Sequence, residues 1–381
     1  MRRERRVHVV GRYLESLCCP VARSPLRLMV DRELQELNAA IDRGEVRYRC
    51  GVAVDEPLEG GLATDDGAWA YRVQSGVPFL LPALRVGVHE RVPPSGPGSG
   101  APLQPSPLKD VWVELSRRWG RINPPLRPAP QDLELFQALA TETLEDARRT
   151  SRLALLLGVT PEIATLHWPT ETSLLALDSS LAMIQNVFPK DRAPNVAVAL
   201  ADWKAMPLGD GTCAFLIGDG ILTSQKYPED FASLPRELRR VITRDGVLVI
   251  RLFARPDQID PLHAVFGDLR AGRIANFDLL HWRLSMALHG DLTAGVRLGD
   301  IWDAWCEHVP DPQALMRDLG WAPDAARIFD SYRGRDTRML FPRVSEAREL
   351  LADGFDQVAC RVPSYEDGDR YPTVAYRPRP R

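Results

Sequence analysis

The chain has 381 residues, which leaves room for two or three domains at roughly 150 residues each. Its 45% hydrophobic and 26% charged residues are those of a globular protein, and a formal net charge of −3 gives no overall field that would gather nucleic acid. Apolar runs fall short of the ~18 residues that cross a bilayer, so no membrane partner is expected.

The start, MRRERRVHVVGRYLES, has the basic end of a signal peptide but not the apolar core that should follow. Six cysteines in so long a chain do not suggest a disulfide framework, so a cytoplasmic location is the expectation. Residues 1–92 carry fourteen arginines against thirteen acids, a net of +1, which does not make a basic domain. The stretch GVHERVPPSGPGSGAPLQPSPL, residues 87–108, contains six prolines and four glycines. Its composition predicts a linker between a small unit, 7–86, and a large one, 109–381. The sequence shows no internal repeat.

The large unit opens on a helical VWVELSRRWGRI, a stiff PPLRPAP, and a helix in which Leu133, Phe136, Leu139 and Leu144 recur near helical spacing. Strand and helix patterns then alternate. Strands are predicted at LALLL (153–157), SLLALD (173–178), NVAVAL (195–200), TCAFLIG (212–218) and GVLVIRLF (246–253). Helices are predicted at SSLAMIQNVF after the second strand and PEDFASLPRELRRVI after the fourth. A mostly helical insertion, about 258–330, precedes two closing strands, FDQVACRVP and TVAYRPR. The pattern predicts an α/β fold: a doubly wound, mostly parallel, seven-stranded Rossmann-like sheet with a helical insertion, behind a small N-terminal α+β domain.

Ligands of such sheets bind outside the carboxyl ends of the strands, so those ends hold the candidate site. The first strand ends in Gly158-Val159-Thr160-Pro161-Glu162, with Pro161 suited to the first helical position. The second ends in Asp178-Ser179, where an acid can accept from ribose hydroxyls or simply cap the next helix. Asp202-Trp203 follows the third strand, an acceptor and a flat ring suited to adenine, and Gly218-Asp219 closes the fourth. A dinucleotide needs a G-x-G-x-x-G turn because its pyrophosphate must approach several free N–H groups. S-adenosylmethionine has no phosphate and tolerates a turn with one glycine, which makes it the expected cofactor.

These residues also carry a resemblance. Residues 109–378 resemble the class I S-adenosylmethionine-dependent methyltransferases, and in particular a bacterial branch with LGVTPE in place of the glycine-rich motif. PPLRPAPQDLELF, LGVTPEIA, ALDSS, ADWKAMPL, IGDGIL and SYRGRDTRMLFP carry the likeness. It implies that Gly158 approaches the methionine part of the donor and that Asp178 holds the ribose. Asp202 and Trp203 would then frame the adenine, and Gly218 and Asp219 would line the methionine or acceptor side. The chain departs from the wider superfamily at Leu156, where an acid is usual, and at Thr160 and Glu162, where glycines are usual. LCCPVARSPLRL and WAYRVQSGVPFLLP in turn resemble the small Trm112-like zinc-ribbon domain. Cys19 and Cys50 each keep the first cysteine of a CxxC pair and lose the second, with His8 or His89 as remaining sources of a ligand, so no metal is expected. Relatives of that domain serve RNA-modifying enzymes among others, which keeps RNA open as an acceptor.

Methyl transfer to an O–H or N–H group requires removal of a proton. In NFDLLHWRLSMALHGD, residues 276–291, His281, Ser285 and His289 share one helical face. His281 is the candidate general base, set against the plain alternative of a packed histidine. Tyr227, Trp282, Tyr332 and Arg333 are candidates for the acceptor pocket wall. The predicted activity is methylation of a small-molecule acceptor. The alternatives are RNA methylation, a donor-binding scaffold without turnover, or a non-methylating use of the donor; the oligomeric state stays open.

Overall fold

The computed structural model describes residues 11–89, 109–145 and 151–380. The arginine-rich start, His8 and nearly all of the predicted linker therefore lie outside the described residues. Two compact units form: residues 1–106, 143–216 and 237–246 make the first, and 107–142, 217–236 and 247–381 the second. Among the described residues no helix is long and apolar enough to cross a membrane.

In the first unit, a small antiparallel sheet is built from β1 (Leu26–Leu28), β2 (Gly60–Thr64), β3 (Trp69–Gln74), β4 (Val77–Pro78) and β5 (Val86–Gly87). The order is β1-β2-β3-β4, with β5 also on β3. Helix Asp31–Asp42 buries Leu34, Leu37 and Ile41, whose three- and four-residue spacing puts them on one face. They join Val46, Val54, Leu58, Ala70 and Val86 in one apolar cluster. This cluster packs the helix against the small sheet.

The main sheet comprises β6 (Leu153–Leu157), β7 (Ser173–Asp178), β8 (Val196–Leu200), β9 (Cys213–Asp219) and β10 (Ile242–Arg251). After a short ladder of β11 (Val296–Arg297) and β12 (Arg338–Met339), β13 (Phe355–Arg361) and β14 (Thr373–Pro378) complete it. Its order is β13-β14-β10-β9-β6-β7-β8. β6, β7 and β8 pair in parallel, Leu153 opposite Ser173 and Leu174 opposite Val196. β14 runs antiparallel to both β10 and β13. Every residue of β6 and β8 is buried, as expected of strands covered on both faces, whereas β13 at one end of the sheet mixes buried and exposed residues.

The predicted helix after the fourth strand is broken. A 3-10 turn spans Asp230–Ala232, and an α-helix restarts at Leu234 and runs to Val241. Pro235 supplies the reason: it has no N–H to continue a helix from the preceding turn and is tolerated only in the first turn of a new one. β10 also begins at Ile242 rather than near 246, because the chain leaves that helix directly into the sheet.

Within the first unit the N-terminal sheet continues onto β8. Phe79 bridges Leu200 in parallel, and Leu80 N donates to Leu200 O at 2.7 Å. Cys18 N donates to Pro207 O and Gly209 N to Ser16 O, both at 3.0 Å. Arg23 Nη1 donates to Met206 O at 2.6 Å. Tyr13, 2% exposed, donates its hydroxyl to Leu174 O at 3.0 Å and also reaches Asn195 O. Tyr13→Phe strips a buried donor from carbonyls at the entrances of β7 and β8 and is expected to cost about 1–2 kcal/mol. A lower urea midpoint with an unchanged slope would register that loss.

Candidate active site

The turn after β6 is set by backbone geometry. Gly158 has φ +103°, a region closed to side chains with a Cβ, and its N–H donates to Leu177 O at 2.8 Å. The same carbonyl accepts from Trp203 Nε1 at 2.7 Å. One acceptor at the end of β7 thus holds both the glycine turn and the indole, and the ring edge stands 3.9 Å from where a Cβ on Gly158 would lie. Thr160 is buried and caps nothing with its side chain, and the helix it precedes, Pro161–Ala164, is a single turn.

Asp178, next in the chain after that shared carbonyl, is half-buried, and Ser179 beside it is exposed. Its Oδ1 accepts from Ser180 N at 2.7 Å, while Ser180 caps the following helix by accepting from Met183 N. The cap of that helix is therefore Ser180 rather than Asp178. Burial pushes its pKa up from 3.8 to about 7, although backbone N–H groups of Ser180 and Ser179 oppose the rise. Asp202 has a local duty: its carboxylate accepts from Lys204 N at 2.9 Å and caps the 3-10 turn Trp203–Ala205.

In the second unit, Gly218 is buried and Asp219 closes β9. The Asp219 carboxylate receives Arg251 Nε at 2.7 Å and Nη2 at 3.1 Å. Arg251, fully buried at the end of β10, also donates to Pro125 O at 2.9 Å and lies 3.4 Å from Asp132. Asp132 accepts in addition from Ala129 N and from the Tyr365 hydroxyl. Burial works to lower the arginine's pKa, but Asp219 and Asp132 more than reverse that and keep it charged. Asp219 thus anchors a guanidinium with its side chain.

The other candidates of the second unit divide between core and periphery. His281 and Tyr332 are buried in the helical cluster, with His281 Nε2 facing Tyr332 Oη at 3.2 Å. Burial, helped by Arg118, lowers the His281 pKa to about 3, so the ring is neutral at pH 7. Phe329 lies edge-on to it at 5.1 Å and Trp282 at 4.6 Å. Arg333 lies over the Trp302 ring at 5.1 Å, and Tyr227 is half-buried against Phe231. Arg251, Asp132 and Tyr365 were not singled out in the sequence. The signal was there, since Arg251 is the one charge between Gly246 and Phe253 and implies buried acids elsewhere.

In the N-terminal part of the first unit, Cys18 and Cys19 are buried and Cys50 is half-buried. Cys19 Sγ is 3.1 Å from Tyr71 Oη and accepts from Ala22 N. His89 is exposed. Among the described residues no three His, Cys, Asp or Glu side chains are grouped to hold a metal ion.

No family model and no curated protein matches the chain. Similar solved structures include one described as a Zn-dependent alcohol dehydrogenase from Rhodobacter sphaeroides (12% identity, TM-score 0.45, covering 72% of this chain and 99% of that one). Another is the 1,6-didemethyltoxoflavin-N1-methyltransferase of Burkholderia thailandensis with bound S-adenosylhomocysteine (12%, 0.41, 82% and 97%). A third is the N-methyltransferase NodS of Bradyrhizobium japonicum WM9 in complex with S-adenosylhomocysteine (10%, 0.38, 70% and 98%). Likenesses this distant assign no activity to this chain.

Arg251→Met would leave Asp219 and Asp132 as uncompensated buried charges. The expected cost is about 3–5 kcal/mol of stability, read from the guanidinium-induced unfolding midpoint.

Proposed function

We propose that the chain is an S-adenosylmethionine-dependent methyltransferase acting on a small-molecule acceptor, with a Trm112-like N-terminal domain. The observation that carries this reading is the double use of Leu177 O, which sets an indole beside a left-handed glycine, one residue before the half-buried Asp178. These residues fit the donor. Asp178 would accept from the ribose hydroxyls, Trp203 would lie against the base, and the Gly158 turn would let backbone approach the methionine part. Thr160, Ser179 and Asp202 flank these three. A pyrophosphate fits less well, because the turn has one glycine and Pro161 has no N–H to offer. When bound, the donor supplies an electrophilic methyl group; the protein's own task is to align the acceptor and take its proton. In this reading the N-terminal domain is a brace. Arg23 holds Met206 O, on the segment that carries Asp202 and Trp203.

Titration calorimetry should show binding of S-adenosylhomocysteine, and Asp178→Ala should weaken it by about 1.5–3 kcal/mol through lost charged hydrogen bonds. Binding of NAD in its place would refute the reading. Ribose hydroxyls donate best to an ionised carboxylate, and Asp178 ionises at about 7. Affinity should therefore rise with pH up to about 7 and level off above it, and Asp178→Asn should flatten that rise. The stability contribution has the opposite sign. The folded state keeps a proton that the unfolded chain releases, so the group's contribution is full below about pH 4 and fades as pH rises toward 7.

A further inference from the structure

Asp202 and Trp203 sit on the short segment between β8 and β9, where the regular structure is one 3-10 turn, Trp203–Ala205. Such a turn has poor hydrogen-bond geometry of its own, so its ends depend on outside partners. At the start, the Asp202 carboxylate receives Lys204 N at 2.9 Å. At the end, Met206 leaves the turn in an extended conformation. Its N–H donates to Oε2 of Glu237, 31 residues further along the chain, at 3.0 Å. The turn that carries the indole is thus closed by one local carboxylate and one distant one.

Glu237 belongs to the helix Leu234–Val241 and is buried. Its Oε2 also receives Arg240 Nη2 at 2.9 Å, while Oε1 receives Arg240 Nε at 2.9 Å and Arg23 Nη2 at 3.0 Å. Both guanidinium groups then donate to one carbonyl, Met206 O, from Arg23 Nη1 at 2.6 Å and Arg240 Nη2 at 3.0 Å. Two like charges crowd that oxygen, and the carboxylate between them offsets their repulsion. Arg240 Nη1 reaches further along the segment, to Leu208 O at 2.5 Å and Asp210 at 2.9 Å. The N–H and the C=O of Met206 are therefore both held by charged side chains, organised by a single acid. The other end of the segment is held by main chain: Leu80 N donates to Leu200 O and Ala201 N to Asp178 O. All of these residues lie within the first unit.

We infer that Glu237 is a positioning residue for donor binding: by gripping Met206 it fixes the Trp203–Ala205 turn, and with it the indole that packs on the base of the donor, with Arg23 and Arg240 as its two arms. The inference rests on the methyltransferase reading for the identity of the ligand, whereas the grip on the turn stands apart from it. Leu177 O fixes the edge of the Trp203 ring, and the clamp fixes the main chain that carries the ring. Glu237→Gln keeps the size of the side chain but exchanges one acceptor oxygen for an N–H2 donor. That donor must face a guanidinium or the Met206 N–H, which are donors themselves. The closure of the turn is then lost. Glu237 touches none of the reacting atoms, so its effect falls on the affinity for the donor.

Fluorine spectra of the full chain labelled with 5-fluorotryptophan, with Trp203 assigned by Trp203→Phe, read the turn directly. Glu237→Gln should shift the Trp203 resonance and weaken S-adenosylhomocysteine binding at least ~10-fold in calorimetry. Arg23→Ala leaves Arg240 on the same carbonyl, so it should move the same resonance and weaken binding by only about 3-fold. Tyr13→Phe destabilises the same unit at the opposite ends of β7 and β8; it should lower the urea midpoint and leave both readings at their wild-type values. A Trp203 resonance or an affinity that Glu237→Gln leaves unchanged overturns the inference. An equal loss of affinity in Tyr13→Phe overturns it too, since general stability would then explain the effect. If Glu237→Gln fails to fold, Arg23→Ala decides by the same two readings. If the wild-type chain does not bind S-adenosylhomocysteine, the methyltransferase reading falls, and the Trp203 resonance alone decides whether Glu237 holds the turn.

Discussion

A guanidinium sealed from water must find acceptors inside the protein or destabilise it severely, and Arg251 imposes that condition on the second unit. It sits at the end of a strand whose preceding residues are all apolar back to Gly246, and it draws in acceptors from three separate stretches of chain. Asp219 comes from the neighbouring β9, the Pro125 carbonyl from the proline-rich segment, and Asp132 from the helix that follows it. Tyr365, from the loop between β13 and β14, then holds Asp132. The guanidinium also lies over Phe253 at 5.2 Å, so the charge cluster packs against that ring. A change to any member leaves a buried polar or charged group without its partner, because the side chains of Arg251, Asp132 and Asp219 are sealed from solvent.

The first unit uses the opposite device, one small acceptor shared by two donors. Leu177 O fixes Gly158 and Trp203 without a charged group. This leaves the nearby carboxylate of Asp178 as the group whose ionisation is adjustable. Its raised pKa follows from packing among apolar strands, since β6 and β8 are buried along their whole length. The charge on that carboxylate therefore changes with pH near neutrality.

Much of this was legible in the sequence. β6, β7, β8 and β9 fall within a residue of their predicted spans, because buried strands leave an unbroken apolar run bounded by turn residues. What stayed hidden depends on long-range partners. Asp202 and Asp219 looked alike as acids after strands, yet one caps its own turn and the other binds an arginine 32 residues away. His281 and His289 were equally unreadable: helical spacing put them on one face, but only tertiary packing decides that Tyr332 takes the first ring's Nε2 and that Gly290 O fixes the tautomer of the second. Pro235, by contrast, was visible and underweighted in a segment otherwise rich in helix formers.

The contact of Phe79 and Leu80 with β8 has a further consequence. β8 reads VAVAL, is wholly buried, and ends the main sheet in hydrogen-bonding order. A strand of that composition with an open side is a template for pairing with other chains. The short N-terminal segment covers it with the backbone partner of Leu200 and is itself too brief and too interrupted by Pro78 and Pro82 to recruit another strand. Phe79 and Leu80 thus occupy backbone at the Leu200 end of β8, and removing them would bare that stretch of an apolar margin to pairing with another chain.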